Sequence, residues 1–182
     1  DDVLYEPGID ETITLELGSV TDANLGPQTT TTVAIFDNDS PPSVNANTGL
    51  TVLEGATAVI GESQLVVTDG EQSPAELTYT LTQIVQNGIL FLDSNGNSSY
   101  DSGTDTVLLL NNNFTQADII AGTLYYHHAG SETLSDSFGF TVSDGNGGSL
   151  GGQIFEMVIE PVNDAPELTG NVTFSTIYED VP

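Results

Sequence analysis

A short motif occurs twice in the chain and sets the length of what lies between its copies. It reads Asp37-Asn38-Asp39-Ser40-Pro41 near the start and Val162-Asn163-Asp164-Ala165-Pro166 near the end, with the two prolines 125 residues apart. The same offset relates the flanks. Val33 answers to Val158 upstream, and Val52-Leu53-Glu54 answers to Ile177-Tyr178-Glu179 downstream. Each copy follows an alternating run, Thr32-Val33-Ala34-Ile35-Phe36 or Phe155-Glu156-Met157-Val158-Ile159. Proline cannot donate to a strand ladder and Asx side chains support turns, so an acidic turn closed by proline at a strand end marks a domain junction. The chain therefore divides into the tail of one module (residues 1–39), a complete module (residues 40–165), and a linker with the first strand of a following module (residues 166–182).

Charge narrows the partners. The 182 residues include 27 Asp and Glu but no Lys or Arg, where average usage would supply roughly 20 basic residues. Nucleic acid and anionic membrane both require basic footprints and are excluded as partners. Without internal counter-charges, self-repulsion must be relieved by cations or by salt. Solubility in a saline habitat and specific cation binding both account for such acidity, and the two are compatible. The absence of trypsin sites suits a protease-rich exterior. There is no cysteine, so no disulfide staples the fold. No apolar run approaches the length of a membrane span, so no membrane insertion is expected. A start without Met and without a leader suggests an excerpt from a longer polypeptide.

The strand pattern predicts an all-β sandwich. Leu77-Thr78-Tyr79-Thr80-Leu81 alternates strictly, Gly88-Ile89-Leu90-Phe91-Leu92 is a short apolar strand, and Phe138-Gly139-Phe140-Thr141-Val142 alternates into the Gly-rich loop at 144–148. Residues 123–128 and 154–159 supply further strands. One segment breaks the pattern: Thr115 as N-cap, Asp118 three positions on and Gly122 as terminator predict a short helical turn. About seven strands with such turns make a Greek-key sandwich. In residues 1–39 only two strands are visible, over 13–17 and 31–36, too few to stand alone.

The loop Asp93-Ser94-Asn95-Gly96-Asn97-Ser98-Ser99-Tyr100-Asp101-Ser102-Gly103-Thr104-Asp105 carries its own chemistry. Ca²⁺ takes six to eight oxygens, and the EF-hand supplies them at fixed loop positions. Asp93, Asn95, Asn97 and Asp101 stand at positions 1, 3, 5 and 9, with the Ser99 carbonyl at 7. Ser98 replaces the usual Gly at position 6, and Asp105 comes one place later than the usual acid. An exposed Asn/Ser/Gly hairpin loop is the alternative.

Glu54-Gly55, Gly88 with Leu90, Phe114-Thr115-Gln116-Ala117-Asp118-Ile119, Gly122 with Tyr125 and His127, Asp136 with Phe138 and Phe140, and Val142-Ser143-Asp144-Gly145 resemble a CSPG repeat, the cadherin-like module of NG2-type proteoglycans and large bacterial surface proteins. The resemblance covers nearly all of residues 42–166 and implies a structural and adhesive family. Classical cadherins hold calcium between domains; aligned on its proline, their linker falls on Glu160, Val162, Asn163 and Asp164, with Val162 replacing one ligand. Glu54, Glu179 and Asp144 are expected to add oxygens at the junctions. Asp1-Asp2-Val3-Leu4-Tyr5-Glu6, Asp10-Glu11-Thr12, Leu25-Gly26 and Val33 through Asp39 resemble the C-terminal half of a Calx-beta domain, another calcium-binding β-sandwich. That resemblance implies tip ligands at Asp1, Asp2, Glu6, Asp37 and Asp39, with Asn38 departing from the family's acidic triplet.

Catalysis finds little support. No Cys nucleophile, Gly-x-Ser-x-Gly elbow or His-Glu-x-x-His is present. His127 and His128 adjoin on a strand and point to opposite faces, and His127, matching the repeat's own Tyr-x-His position, is expected to pack. With acids throughout, no single carboxylate pair indicates glycoside hydrolysis. The expectation is a non-catalytic, calcium-stiffened spacer of a large extracellular, secreted or cell-surface protein, a bacterial adhesin or fibre. Its partners would be calcium and neighbouring repeats. The alternatives are a glycan- or protein-binding module, or a filament subunit completed by strands of another copy.

Overall fold

The computed structural model describes residues 39–165 continuously, and before them two strands with Gly18, Thr21 and Gly26. Those strands, β1 (Glu11–Glu16) and β2 (Thr30–Ile35), pair antiparallel, Ile13 opposite Val33. The module follows with β3 (Ser43–Asn47), β4 (Leu50–Leu53), β5 (Thr57–Val59), β6 (Leu65–Thr68), β7 (Thr78–Gln83), β8 (Gly88–Leu92), β9 (Thr106–Val107), β10 (Asn113–Thr115), α1 (Gln116–Ile120), β11 (Leu124–His128), β12 (Ser135–Ser143) and β13 (Ser149–Glu160).

These strands form a sandwich. One sheet runs β10-β7-β12-β13-β4 and the other β5-β11-β8-β9, with β3 and β6 as a separate pair. Consecutive strands β7 and β8 lie in different sheets, so the chain crosses the core between them. Among the described residues all pairings are antiparallel except β13 with β4, where Met157 stands beside Leu50 and Ile159 beside Val52. The parallel pairing carries the chain out of the module next to the strand with which its sheet began.

Alternation determines what the sheets bury. Tyr79 and Leu81 of β7, Phe138, Phe140 and Val142 of β12, and Phe155, Met157 and Ile159 of β13 face inward from one sheet. Leu90 of β8 with Leu124 and Tyr126 of β11 meets them from the other. Phe138 stacks on Phe155 with centroids 5.1 Å apart, and Tyr79 on Phe114 at 4.7 Å. Each such ring contributes about 1.5–3 kcal/mol on burial, and a one-residue slip of any strand would turn its whole set to solvent.

The predicted helical turn is present. Thr115 Oγ1 accepts from Asp118 N while the Asp118 carboxylate accepts from Thr115 N, a reciprocal capping box. The box aims Gln116 into the core, where its Oε1 accepts from Val67 N (2.9 Å) and Tyr79 OH (2.6 Å). The buried Asp136 is satisfied without a cation: Gln86 N, Asn87 N, Ser137 N and Tyr126 OH all donate to it within 2.9 Å.

Candidate metal centres

The loop between β8 and β9 closes on itself. Asp93, 6% exposed, accepts from the backbone N–H groups of Asn95 and Gly96 through Oδ1 and of Ser98 through Oδ2 (2.8 Å). The Ser98 N–H foremost holds the Asp93 carboxyl below the usual aspartate range. Ser98 adopts φ 63°, the left-handed turn that the usual Gly provides at this position. The Asn95 and Asn97 amides both donate to Asp101 Oδ2, which lowers the Asp101 pKa. Four of the expected side chains are thus brought to one place. Asp105 acts differently: its Oδ1 accepts from Ser94 N and its Oδ2 from Asp101 N (2.7 Å), so it ties the two ends of the loop together. Ser99 donates its N–H to Asn97 Oδ1.

At the exit end of the module, Glu54, Glu132 and Asp164 place carboxylate oxygens within 4.8 Å of one another. Glu54 and Asp164 were expected at a junction; Glu132, on the turn between β11 and β12, was not. Glu54 Oε2 accepts from Val162 N (3.1 Å), while Oε1 is buried with no hydrogen-bond partner. The Glu54 charge, then burial and the Asp164 charge, raises the Glu132 pKa. An orphaned carboxylate oxygen beside two more carboxylates, in a chain without Lys or Arg, fits a cation. Glu160 is exposed and lends the site its backbone, its carbonyl accepting from Glu54 N (2.9 Å). Asn163 Nδ2 donates to the Asp164 carbonyl.

Asp144 lies elsewhere. It is 4% exposed, accepts from Asn146 N through Oδ1 (2.8 Å), and comes against Gly148 in the loop beside Pro41. Ser40 Oγ donates to Glu71 Oε2 (3.0 Å), and Asp69 accepts from Glu71 N and Gln72 N. The entry end therefore carries Asp39, Asp69, Glu71 and Asp144 on neighbouring turns. Asp69 and Glu71 escaped the sequence reading, although an acid pair two residues apart at a strand end was their signal. Asp1, Asp2, Glu6, Asp37 and Glu179 lie outside the described residues.

The two histidines separate as neighbours on a strand must, with the parity reversed. His128 is fully buried, and His127 is partly buried with Nδ1 2.9 Å from Thr57 Oγ1. The Tyr-x-His pair inside the sandwich is Tyr126 with His128, not Tyr125 with His127.

Residues 42–159 match the family described as cadherin-like. Among curated relatives, the human extracellular matrix organizing protein FRAS1 is 32% identical over 141 residues, covering 77% of this chain and 3% of its own. Human chondroitin sulfate proteoglycan 4 is 33% identical over 142 residues, covering 78% and 6%. Human FRAS1-related extracellular matrix protein 1 is 32% identical over 123 residues, covering 66% and 5%. The chain thus spans only a small part of the length of the proteins it resembles.

Proposed function

The chain belongs to the cadherin-like family, as residues 42–159 and the CSPG-repeat relatives show, and from that premise we propose that it is a calcium-stiffened spacer. Its relatives are extracellular matrix and cell-surface proteins, and the module is an extracellular structural or adhesive one. Among the described residues no helix is long and apolar enough to cross a membrane. The observation that carries the calcium reading is the exit cluster, three carboxylates within 4.8 Å where the chain leaves the module. A divalent cation there would neutralise their repulsion and fix the angle at which the next module departs. The 93–105 loop would take a second ion through Asp93, Asn95, Asn97, Asp101 and the Ser99 carbonyl, once the two amides turn their oxygens inward. The entry turns would hold a third.

Calorimetric calcium titration of chelator-stripped protein tests this, with a melting curve beside it. Binding at about 10⁻⁴ M or tighter is expected, and each site saturated a hundredfold above its Kd adds about 2.7 kcal/mol of stability. Glu132→Gln should abolish one class of site and Asp93→Ala another. Stability that rises with sodium chloride as much as with calcium would reduce the acids to solvation and end the proposal.

A second reading concerns the β1–β2 hairpin. Ile13, Leu15 and Val33 share one face and are about half exposed. Among the described residues this apolar face is uncovered, and a two-stranded sheet calls for more strands, which another stretch of the same polypeptide or another copy would supply. Concentration-dependent assembly of the purified chain, measured by sedimentation, separates the two sources.

A further inference from the structure

Glu54 and Glu132 stand on unrelated turns, one after β4 and the other between β11 and β12, yet their carboxylates meet. The geometry points to His128 as the positioning residue that holds these turns together. The inference takes its functional meaning from the proposed exit site; its geometry stands independently.

His128 closes β11 and is fully buried. Its Nδ1 lies 3.1 Å from Gly55 N and 3.2 Å from Gly130 N, and both amides donate to it. A ring nitrogen that accepts two N–H groups carries no proton, so the proton sits on Nε2, which donates to Thr133 Oγ1 at 2.9 Å. One neutral ring thereby binds three points. Gly55 follows Glu54, Gly130 comes two residues before Glu132, and Thr133 follows Glu132. Both glycines have positive φ, 68° and 78°, and a Cβ on either would meet the Cα of the other at 3.8 Å. The two turns are therefore in direct contact, with the imidazole as their shared acceptor.

The clamp acts against a force. Ionised Glu54 and Glu132 repel with carboxylate oxygens within 4.8 Å of each other, and the chain has no Lys or Arg to oppose that repulsion. A hydrophobic side chain of similar size would fill the space and leave both amides without their acceptor. The strand bond from His128 N to the Ala56 carbonyl (2.9 Å) would remain, but the turns beyond it would lose their shared anchor.

The test compares His128→Leu, which removes the acceptor, with His128→Asn, which keeps an oxygen near the Nδ1 position. In calcium-free full-length chain, the nuclear Overhauser contact between the Gly55 and Gly130 α-protons should vanish in His128→Leu and persist in His128→Asn. Calcium titration, with Glu132→Gln marking the exit site, should show that site weakened about 10–100-fold in His128→Leu, as for lost partners of metal ligands elsewhere. The 93–105 site should be unchanged, and His128→Asn should recover most of the loss. An intact Gly55–Gly130 contact in His128→Leu overturns the inference, as does equal weakening of both sites with no recovery in His128→Asn. A wild-type chain with no Glu132-dependent binding removes the proposed cation site, and the proton contact alone then decides the role of His128. Should His128→Leu fail to fold, Thr133→Val serves. It removes the ring's hold on the residue after Glu132 while the two amides keep the tautomer, and undiminished exit-site affinity together with an undiminished Gly55–Gly130 contact would overturn the inference.

Discussion

Phe91 and Tyr100 meet edge to face, their ring centroids 5.4 Å apart and their planes inclined at 63°. Phe91 follows Leu90 on β8, so the two point to opposite faces of the sheet. Leu90 enters the core between the sheets, while Phe91 is equally buried on the outer face. Tyr100 covers it from the 93–105 loop and Tyr125 stacks beside it at 5.7 Å, with Tyr125 OH 2.9 Å from Ser98 Oγ. The candidate calcium loop is thus packed onto the sheet, and its order and the burial of Phe91 belong together.

Removing calcium should loosen this cover while the sandwich stays intact. The expected result is a change in near-ultraviolet tyrosine dichroism on chelation, with the far-ultraviolet β signal retained. Tyr100→Ala should abolish that change and cost about 0.5–1.5 kcal/mol for the aromatic pair beyond the area uncovered. An unaltered aromatic spectrum on chelation would show that the loop does not depend on the ion.

Gln116 connects α1, β6 and β7 through one buried carbonyl oxygen. Gln116→Ala strands both Val67 N and Tyr79 OH, so a loss of about 2–4 kcal/mol is expected in urea unfolding. Tyr79→Phe should cost only about 1 kcal/mol, because Gln116 Oε1 keeps Val67 N. The double variant measures their coupling. Burial pushes the Tyr79 phenol above its usual range, so tyrosinate absorbance should develop late in an alkaline titration for this ring.

Acid and neutral pH should act on different sites. Asp93 and Asp101 have folded pKa values below normal. Their stabilisation is therefore present above the unfolded value of about 3.9 and is lost as pH falls through the lowered folded values. Glu132 has the opposite sign. Its raised folded pKa favours the protonated fold below about 4.3, and that contribution is lost as pH rises through the folded value. In chelator and low salt, Glu132→Gln should raise the urea midpoint at neutral pH and have little effect in acid. Asp93→Asn should lower it at neutral pH and flatten the acid limb. A neutral-pH loss in Glu132→Gln would contradict the repulsion.

Gly88 is required for space. A Cβ there would meet two ring carbons of Tyr126 at 2.7 Å and come closer still to the His127 carbonyl. Its pairing with His128 across β8 and β11 leaves neither strand free to withdraw. Gly88→Ala should cost about 1–3 kcal/mol as overpacking, read from the midpoint of thermal or urea unfolding. The exposed Gly96 in the loop, although at positive φ, has nothing within 4 Å of its missing Cβ, so its replacement should strain only the local turn.

Much of the fold is legible in short stretches. β8 falls where Gly88-Ile89-Leu90-Phe91-Leu92 placed it, α1 follows its capping box, and the strict alternation at Tyr79 and Leu81 gives β7 its buried face. Such signals are local, because side-chain periodicity and caps act within a few residues. Other features are not local. β3 is held by β6, a partner that no short stretch announces; β13 runs from Ser149, ahead of the expected strand at 154–159. His128 rather than His127 is inside because register with β5 and β8 sets the parity of β11, and two adjacent histidines cannot announce which faces in.

By itself the sequence determined the strand alternation of an all-β fold, two proline-closed acidic motifs 125 residues apart, excess negative charge with no Lys or Arg, and one loop with calcium-ligand spacing. Each of these is a property of composition or of residues close along the chain. Only the tertiary structure decided that Glu132 joins Glu54 and Asp164, that Asp144 lies apart from them beside Pro41, and that a single imidazole fastens the turns bearing two of those acids. The hydrogen bonds that make these meetings join His128 to Gly55 across 73 positions and Glu54 to Val162 across 108. What brings such residues together is strand pairing around a common core, whose register is set by everything that packs there at once.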